Sequence, residues 1–215
     1  MPPANPSPPA GIYVFDAYGT LLDVHAAISA HRDAVGPDAQ RCSEIWRAKQ
    51  LEYSWTTTLA GDYTDFWTLT ERALDYALAL CPSIDRAMRA RLLESYMTLG
   101  AYADAQPLLG KLKAQGARTA ILSNGSPAML KAACDAAMLT PLLDAVLSVD
   151  ALRMFKPRAP VYQMACDFFG ARPDAITFVS SNRWDVMGAS RFGFSTSWIN
   201  RAGLPDEYPD HPPAR

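Results

Sequence analysis

The first apolar run of the chain, Ile12–Phe15, is too short for a helix and reads as a β-strand that delivers Asp16 at its end. No comparable strand follows between about residues 24 and 99. That stretch instead carries apolar side chains at helical spacing, at Ile45, Trp46, Leu51 and Trp55 and again at Phe66, Leu69, Ala73, Leu74 and Ala77. Met88, Leu92, Leu93 and Tyr96 mark a further helix, with Ser83 or Asp85 expected as its cap. Beyond residue 100 short apolar runs alternate with helical ones. Helices are expected at Leu108–Gln115, Pro127–Met138, Pro160–Phe169 and Asp185–Phe192, with Gly116, Gly170 and Gly193 placed to end three of them. Strands are expected at Thr119–Leu122, Ala145–Val149, Ile176–Val179 and Thr196–Ile199.

Alternation of strands and helices predicts an α/β fold, a parallel sheet with right-handed crossovers. The first strand belongs with the residues beyond 100, so the intervening helices form an insertion. The insertion leaves from the carboxyl end of that strand and would sit over Asp16. The expected division is a discontinuous core of residues 11–23 and 100–205 and an all-helical cap of residues 24–99. The proline-rich residues 1–10 and the stretch 206–215 read as irregular tails.

Composition narrows the function classes. A chain of 215 residues, 49% of them hydrophobic, suits one globular unit with a full core. The net charge of −2 comes without a basic stripe, which argues against nucleic-acid binding. No apolar run approaches the roughly 18 residues that a membrane helix requires, and no secretory signal is visible. Cys42, Cys81, Cys134 and Cys166 are far apart and form no CxxC pair. They read as buried, reduced thiols of a cytoplasmic protein.

Four of the expected strand ends carry chemistry: Asp16, Tyr18 and Thr20; Ser123 and Asn124; Asp150 leading to Lys156-Pro157; and Ser180, Asn182 and Asp185. Taken singly, each has an ordinary explanation as turn residue, solvated lysine or helix cap. In a parallel sheet, however, these tips share one edge, the edge at which open α/β sheets bind ligands. The spacing after Asp16 matters as well. An Asp-x-Asp pair would place two carboxylates for a divalent cation, but the second position here is Tyr18. The pattern keeps a nucleophile-grade carboxylate and lacks an obvious metal ligand, which points to covalent carboxylate catalysis.

FDAYGTLLDVHAA, ILSNGSP, FKPRAPVYQMA and FVSSNRWDVMGASRFGFSTSWINRAG resemble the four motifs of the haloacid dehalogenase superfamily, in particular its L-2-haloacid dehalogenases. IWRAKQLEYSW resembles that family's cap motif. The resemblance spans about residues 11–204. It implies a Rossmann-like core with a helical cap, often a homodimer, that converts L-2-haloacids to D-2-hydroxy acids with no metal or organic cofactor. Asp16 would attack the halogen-bearing carbon, and Lys156 would neutralise charge around it. Arg47 would engage the departing halide, as suits a guanidinium and an anion. Thr20, Ser123, Asn124 and Ser180 would hold carboxylates through hydroxyl and amide donors. Asn182 and Asp185 would position or activate the hydrolytic water, with Tyr162 in support. Tyr18, Leu51, Phe66 and Trp184 would wall the substrate side chain, with Ser123 and Asn124 also touching substrate.

The chain departs from the family pattern in places. Ala48 stands where the resemblance implies Gln, which would widen the pocket rim. Arg183 stands where a small residue is usual and is expected to point outward. No final strand and helix is readable after Asn200–Gly203, which leaves a sheet edge open to a partner. Competing readings are a fluoroacetate-type defluorinase, a phosphohydrolase of the same superfamily and a non-catalytic binding protein. Tyr18, Ser181 and Asn182 oppose the phosphohydrolase, and retention of Asp16 and Lys156 opposes the binding protein.

Overall fold

The computed structural model describes residues 11–214; the expected tail at residues 1–10 and the last residue lie outside them. Strand β1 (Ile12–Phe15) leads into five helices: α1 (Ala26–Ser29), α2 (Arg32–Val35), α3 (Ala39–Ala60), α4 (Phe66–Leu80) and α5 (Met88–Met97). Then follow α6 (Ala105–Ala114), β2 (Arg118–Ser123), α7 (Pro127–Ala136), β3 (Ala145–Ser148), α8 (Ala159–Phe169), β4 (Ile176–Ser180), α9 (Arg183–Phe192) and β5 (Ser195–Trp198).

The five strands form one parallel sheet in the order β3-β2-β1-β4-β5. The direction of winding reverses between β1 and β4, and the carboxyl ends of these two strands border the crevice where doubly wound sheets bind ligands. Phe15 is in register with Ile121 of β2 and Val179 of β4. Asp16 therefore emerges level with Leu122 and Ser180, and its backbone N–H donates to Val179 O at 2.9 Å. The turn after it needs Gly19, whose φ of +90° is strained for any side chain.

The helical cap is built from amphipathic faces. In α4, Phe66, Leu69, Thr70, Ala73, Leu74, Ala77 and Leu78 are buried, at spacings of one to four residues that make a single stripe. Asp65 caps this helix by accepting from Trp67 N and Thr68 N. The stripe packs on α3, where Trp46 is buried and its indole N–H donates to Thr70 O at 2.9 Å. Cap and core share one continuous apolar cluster.

Element boundaries differ from the sequence reading where local chemistry is ambiguous. Helix α6 begins at Ala105, not Leu108, because Pro107 sits in the first turn, where no donor is lost. Helix α7 stops at Ala136 and the chain turns at Met138, whose φ is +53°. Helix α5 is preceded by Ala87 with no side-chain cap; Asp85 accepts from Ala87 N in the turn before it, and Ser83 bonds Asp38 instead. Helix α9 starts at Arg183, so Asp185 lies inside its first turn and is not its cap. The edge strand β5 is not wholly bare either: Ala214 N donates to Thr196 O at 2.9 Å. The four cysteines are buried and unpaired, and no described helix is long and apolar enough to cross a membrane.

Candidate active site

Asp16 is 6% exposed, and both of its carboxylate oxygens are engaged. Oδ2 accepts from Asn182 Nδ2 at 2.7 Å, from Thr20 Oγ1 at 2.9 Å and, more loosely, from Ser180 Oγ at 3.5 Å. Oδ1 accepts from Lys156 Nζ at 3.0 Å. A carboxylate with this many donors is fixed in orientation.

Lys156 is 1% exposed, far from the solvated lysine that its sequence context permits. Its ammonium bridges Asp16 and Asp185, reaching Asp185 Oδ2 at 2.7 Å. Burial alone would pull the lysine down, but the two carboxylates outweigh it and hold its pKa above the ordinary value. Asp185 is completely buried, and burial raises it from 3.8 to about 6 against the opposing pull of Lys156. Its second oxygen accepts from Tyr162 Oη at 2.7 Å. Burial first and the charge of Asp185 second push that phenol well above its usual pKa, so Tyr162 is a permanent donor. Helix α9 comes this close only because residue 188 is glycine: a Cβ there would lie 2.5 Å from Tyr162 Oη and 2.6 Å from Pro157 Cβ.

Arg47 reaches down from α3. Its Nη2 donates to Tyr18 O at 3.0 Å and to Asn182 Oδ1 at 3.4 Å, one residue away from the Asp16 contact. Arg47, Leu51, Asn182 and Trp184 border a cavity of about 450 Å³, with Arg201 and His25 further along its wall. A second cavity of about 320 Å³ lies beyond Trp184 and reaches Lys156; Trp55, Phe155 and Met187 make its apolar sides.

The expected substrate wall is divided. Leu51 and Trp184 face the larger cavity. Tyr18 and Phe66 are instead closed into an aromatic stack, with Tyr18 lying 5.7 Å from Tyr96 and 6.2 Å from Phe66 between ring centroids. Ser123 and Asn124 are buried near the strand ends but do not hold Asp16. Ser123 Oγ accepts from Gly125 N and so satisfies its own turn, whereas Asn124 Oδ1 accepts from Lys156 N and ties that turn to the loop carrying the lysine. Asn182 donates directly to Asp16. Ala48 is exposed and lines neither cavity.

Sequence reasoning missed several contributors. Ser181 Oγ donates to Gly19 O at 2.6 Å, and Ser181 N donates to Thr20 Oγ1 at 3.0 Å, which ties the turn after Asp16 to β4. Arg201 donates to Thr20 O at 2.9 Å and pairs with Asp104. Arg183 points neither into the site nor into solvent: it is buried against residues 206–211. Among the described residues, no three His, Cys, Asp or Glu side chains gather as a metal site.

Comparison with known proteins fits this arrangement. A family model described as haloacid dehalogenase-like hydrolase matches residues 11–193. The (S)-2-haloacid dehalogenase 1 of Pseudomonas sp. strain CBS-3 is 52% identical over 196 residues, covering 91% of this chain and 86% of the relative. A crystal structure of a dehalogenase matches with a TM-score of 0.93 at 48% identity, covering 96% of this chain and 92% of that one. The L-2-haloacid dehalogenase of Xanthobacter autotrophicus with chloropropionic acid covalently bound gives a TM-score of 0.82 at 42% identity, covering 92% and 79%. The chain belongs to the haloacid dehalogenase-like hydrolase family, in the same branch as its (S)-2-haloacid dehalogenases.

Proposed function

We propose that this enzyme hydrolyses short L-2-haloalkanoic acids to D-2-hydroxy acids with inversion, through an ester on Asp16. The observation that carries the reading is the Asp16 carboxylate itself, held on one side by Thr20, Ser180 and Asn182 and on the other by Lys156. In the first step an Asp16 oxygen displaces halide from C2 by backside attack, inverting that carbon. The carboxylate is nearly buried, so it would retain nucleophilic strength. Arg47, at the cavity wall beside Asn182, stabilises the departing halide. Ser123 and Asn124, at the end of β2, would engage the substrate carboxylate, with Leu51 and Trp184 against its alkyl group. Tyr18 and Phe66 back this wall from the aromatic stack.

In the second step water attacks the ester carbonyl carbon of Asp16. Asp185 accepts the water proton, with Lys156 between the two carboxylates to balance charge. The acyl–oxygen bond breaks, and the hydroxy acid leaves with an oxygen that began on Asp16. The covalently bound chloropropionic acid in the Xanthobacter relative supports this route. Residues 24–99 would act as the cap and residues 11–23 and 100–205 as the core. We also propose that the enzyme works as a cytoplasmic homodimer without metal or organic cofactor; sedimentation of the purified chain tests the dimer.

Halide release from the separate L and D forms of 2-chloropropionate, in excess EDTA, tests the reaction. Release from the L form alone is expected. A single turnover in 18O-labelled water should then put the label into Asp16 and not into the product. Label in the product would overturn the ester. Magnesium-dependent phosphate release from a phosphate ester, with no halide release from either form, would overturn the reaction class in favour of a phosphohydrolase.

A further inference from the structure

We propose that Arg183 is a specificity-positioning residue: it fastens the segment 204–211 across the cleft and thereby sets the far wall of the space open to the substrate alkyl group. The inference rests on the dehalogenase reading above. Arg183 stands at the first position of α9, between Asn182, which touches Asp16, and Trp184, which separates the two cavities. Its side chain is 5% exposed and turned away from the nucleophile. Nε and Nη2 form a fork on the Asp206 carboxylate at 2.6 and 3.2 Å. Nη2 also donates to Tyr208 O at 2.6 Å and to His211 O at 2.8 Å. The guanidinium lies between the rings of Trp198 and Tyr208, 5.7 and 5.4 Å from their centroids. A planar group with forked donors and two aromatic faces is well suited to hold irregular chain, and lysine could not reproduce the arrangement.

The segment it holds has no helix or strand of its own. Its start is tied to the adjoining turn through the Asn200 side chain and Leu204, and Ala214 meets Thr196 at its far end. Between those points Arg183 supplies the charged anchorage. The segment brings Leu204, Pro205 and Glu207 to the larger cavity, which Leu51 and Trp184 also line. It also brings Tyr208 to the smaller cavity, on the side of Trp184 that reaches Lys156. One side chain thus holds walls of both spaces that flank Trp184. A longer alkyl group at C2, packed on Leu51 and Trp184, would extend toward this strap.

The test is kcat/KM for halide release from chloroacetate, L-2-chloropropionate and L-2-chlorohexanoate, compared across wild type, Arg183→Met and Asp206→Asn. Asp206 is a third exposed, so its variant loosens the strap without disturbing α9. Both variants should raise the hexanoate-to-propionate ratio, Arg183→Met by about 10-fold or more, the range a methylene-scale change in an apolar pocket produces. Hydrogen exchange over 204–211 should quicken in both. An unchanged ratio, with or without faster exchange, overturns the proposal. So does an equal fall on all three substrates, which would mean a purely structural role. Failure of the parent reading is seen separately, as absence of halide release by wild type.

Discussion

Replacing Lys156 by Met removes the only charge between two buried carboxylates and leaves the stem volume nearly intact. In the wild type the ammonium lies 3.0 Å from Asp16 and 2.7 Å from Asp185, with Asp185 fully buried. Removing one partner from a buried, hydrogen-bonded ion pair destabilises a protein by about 3–5 kcal/mol. The penalty must depend on pH, and its sign follows from the groups involved. Lys156 is raised above its ordinary 10.5, so its stabilising contribution is fully present below that value and is lost only as pH rises through the higher folded value. Between pH 5.5 and 8 it is therefore constant. Asp185 is raised from 3.8 to about 6. The folded state holds this proton more tightly than the unfolded state, so stability falls by about 3 kcal/mol in all as pH rises from well below 3.8 to well above 6, with only about 1 kcal/mol of that fall above pH 5.5.

Without Lys156 the restraint on Asp185 disappears and its pKa climbs further. The variant then keeps the Asp185 carboxyl protonated at pH 5.5 but must bury its uncompensated charge at pH 8. Urea unfolding should give a loss of about 3–5 kcal/mol at pH 8, shrinking by about 2 kcal/mol at pH 5.5. Adding Asp185→Asn should recover part of the loss, with an interaction energy of roughly 1–3 kcal/mol. Equal penalties at both pH values, or a loss under about 1 kcal/mol at pH 8, would refute the bridged-carboxylate account.

Other consequences of the geometry can be measured. If Asp185 must be ionised to take the water proton, kcat should fall as pH drops through about 6, and a flat profile from pH 5 to 8 would remove Asp185 from that role. Tyr162→Phe deletes a donor that favours the charged form of Asp185, so this acid limb should move to higher pH; an unmoved limb would show the hydrogen bond to be inconsequential. Gly188→Ala drives a methyl against Tyr162 and Pro157 and should lower stability by about 1–3 kcal/mol in thermal unfolding. Wild-type stability in that variant would mean that α9 can shift freely. Asp16→Asn, with its side chain verified by mass spectrometry, should abolish single-turnover halide release; full activity would exclude the ester.

The core was legible because its signals are local. Four-residue apolar runs followed by Ser-Asn or Ser-Ser turns mark strands of a sheet buried on both faces, and β1 was read to the residue. Strand order then brings Asp16, Lys156, Ser180 and Asp185 together without further assumption, since one edge of a parallel sheet collects all its carboxyl ends. Helix limits were less legible. Pro107 reads as a breaker but is tolerated in a first turn, and Asp185 reads as a cap but sits a turn deeper.

What sequence could not supply is the choice of partner for a polar side chain. Ser123 and Asn124 have donors that suit a carboxylate, yet each satisfies a backbone group in its own neighbourhood. Arg201 finds Asp104 almost a hundred residues away, and no spacing rule predicts that pair. Arg183 is the sharpest case. An arginine at a helix start beside an anionic site would ordinarily be read as solvated or as aimed at the substrate. It is neither, because Asp206 and two carbonyls of a segment without regular structure accept from its Nε and Nη2, while Nη1 stays buried without a partner. The residues proposed to carry the reaction are brought together by the sheet, and their placement was visible in the sequence. The walls of the two cavities beside Trp184 depend instead on how an irregular segment lies over the cleft. Selectivity is thus the property most open to change in this scaffold, since Arg183 and Asp206 can vary without touching Asp16, Lys156 or Asp185.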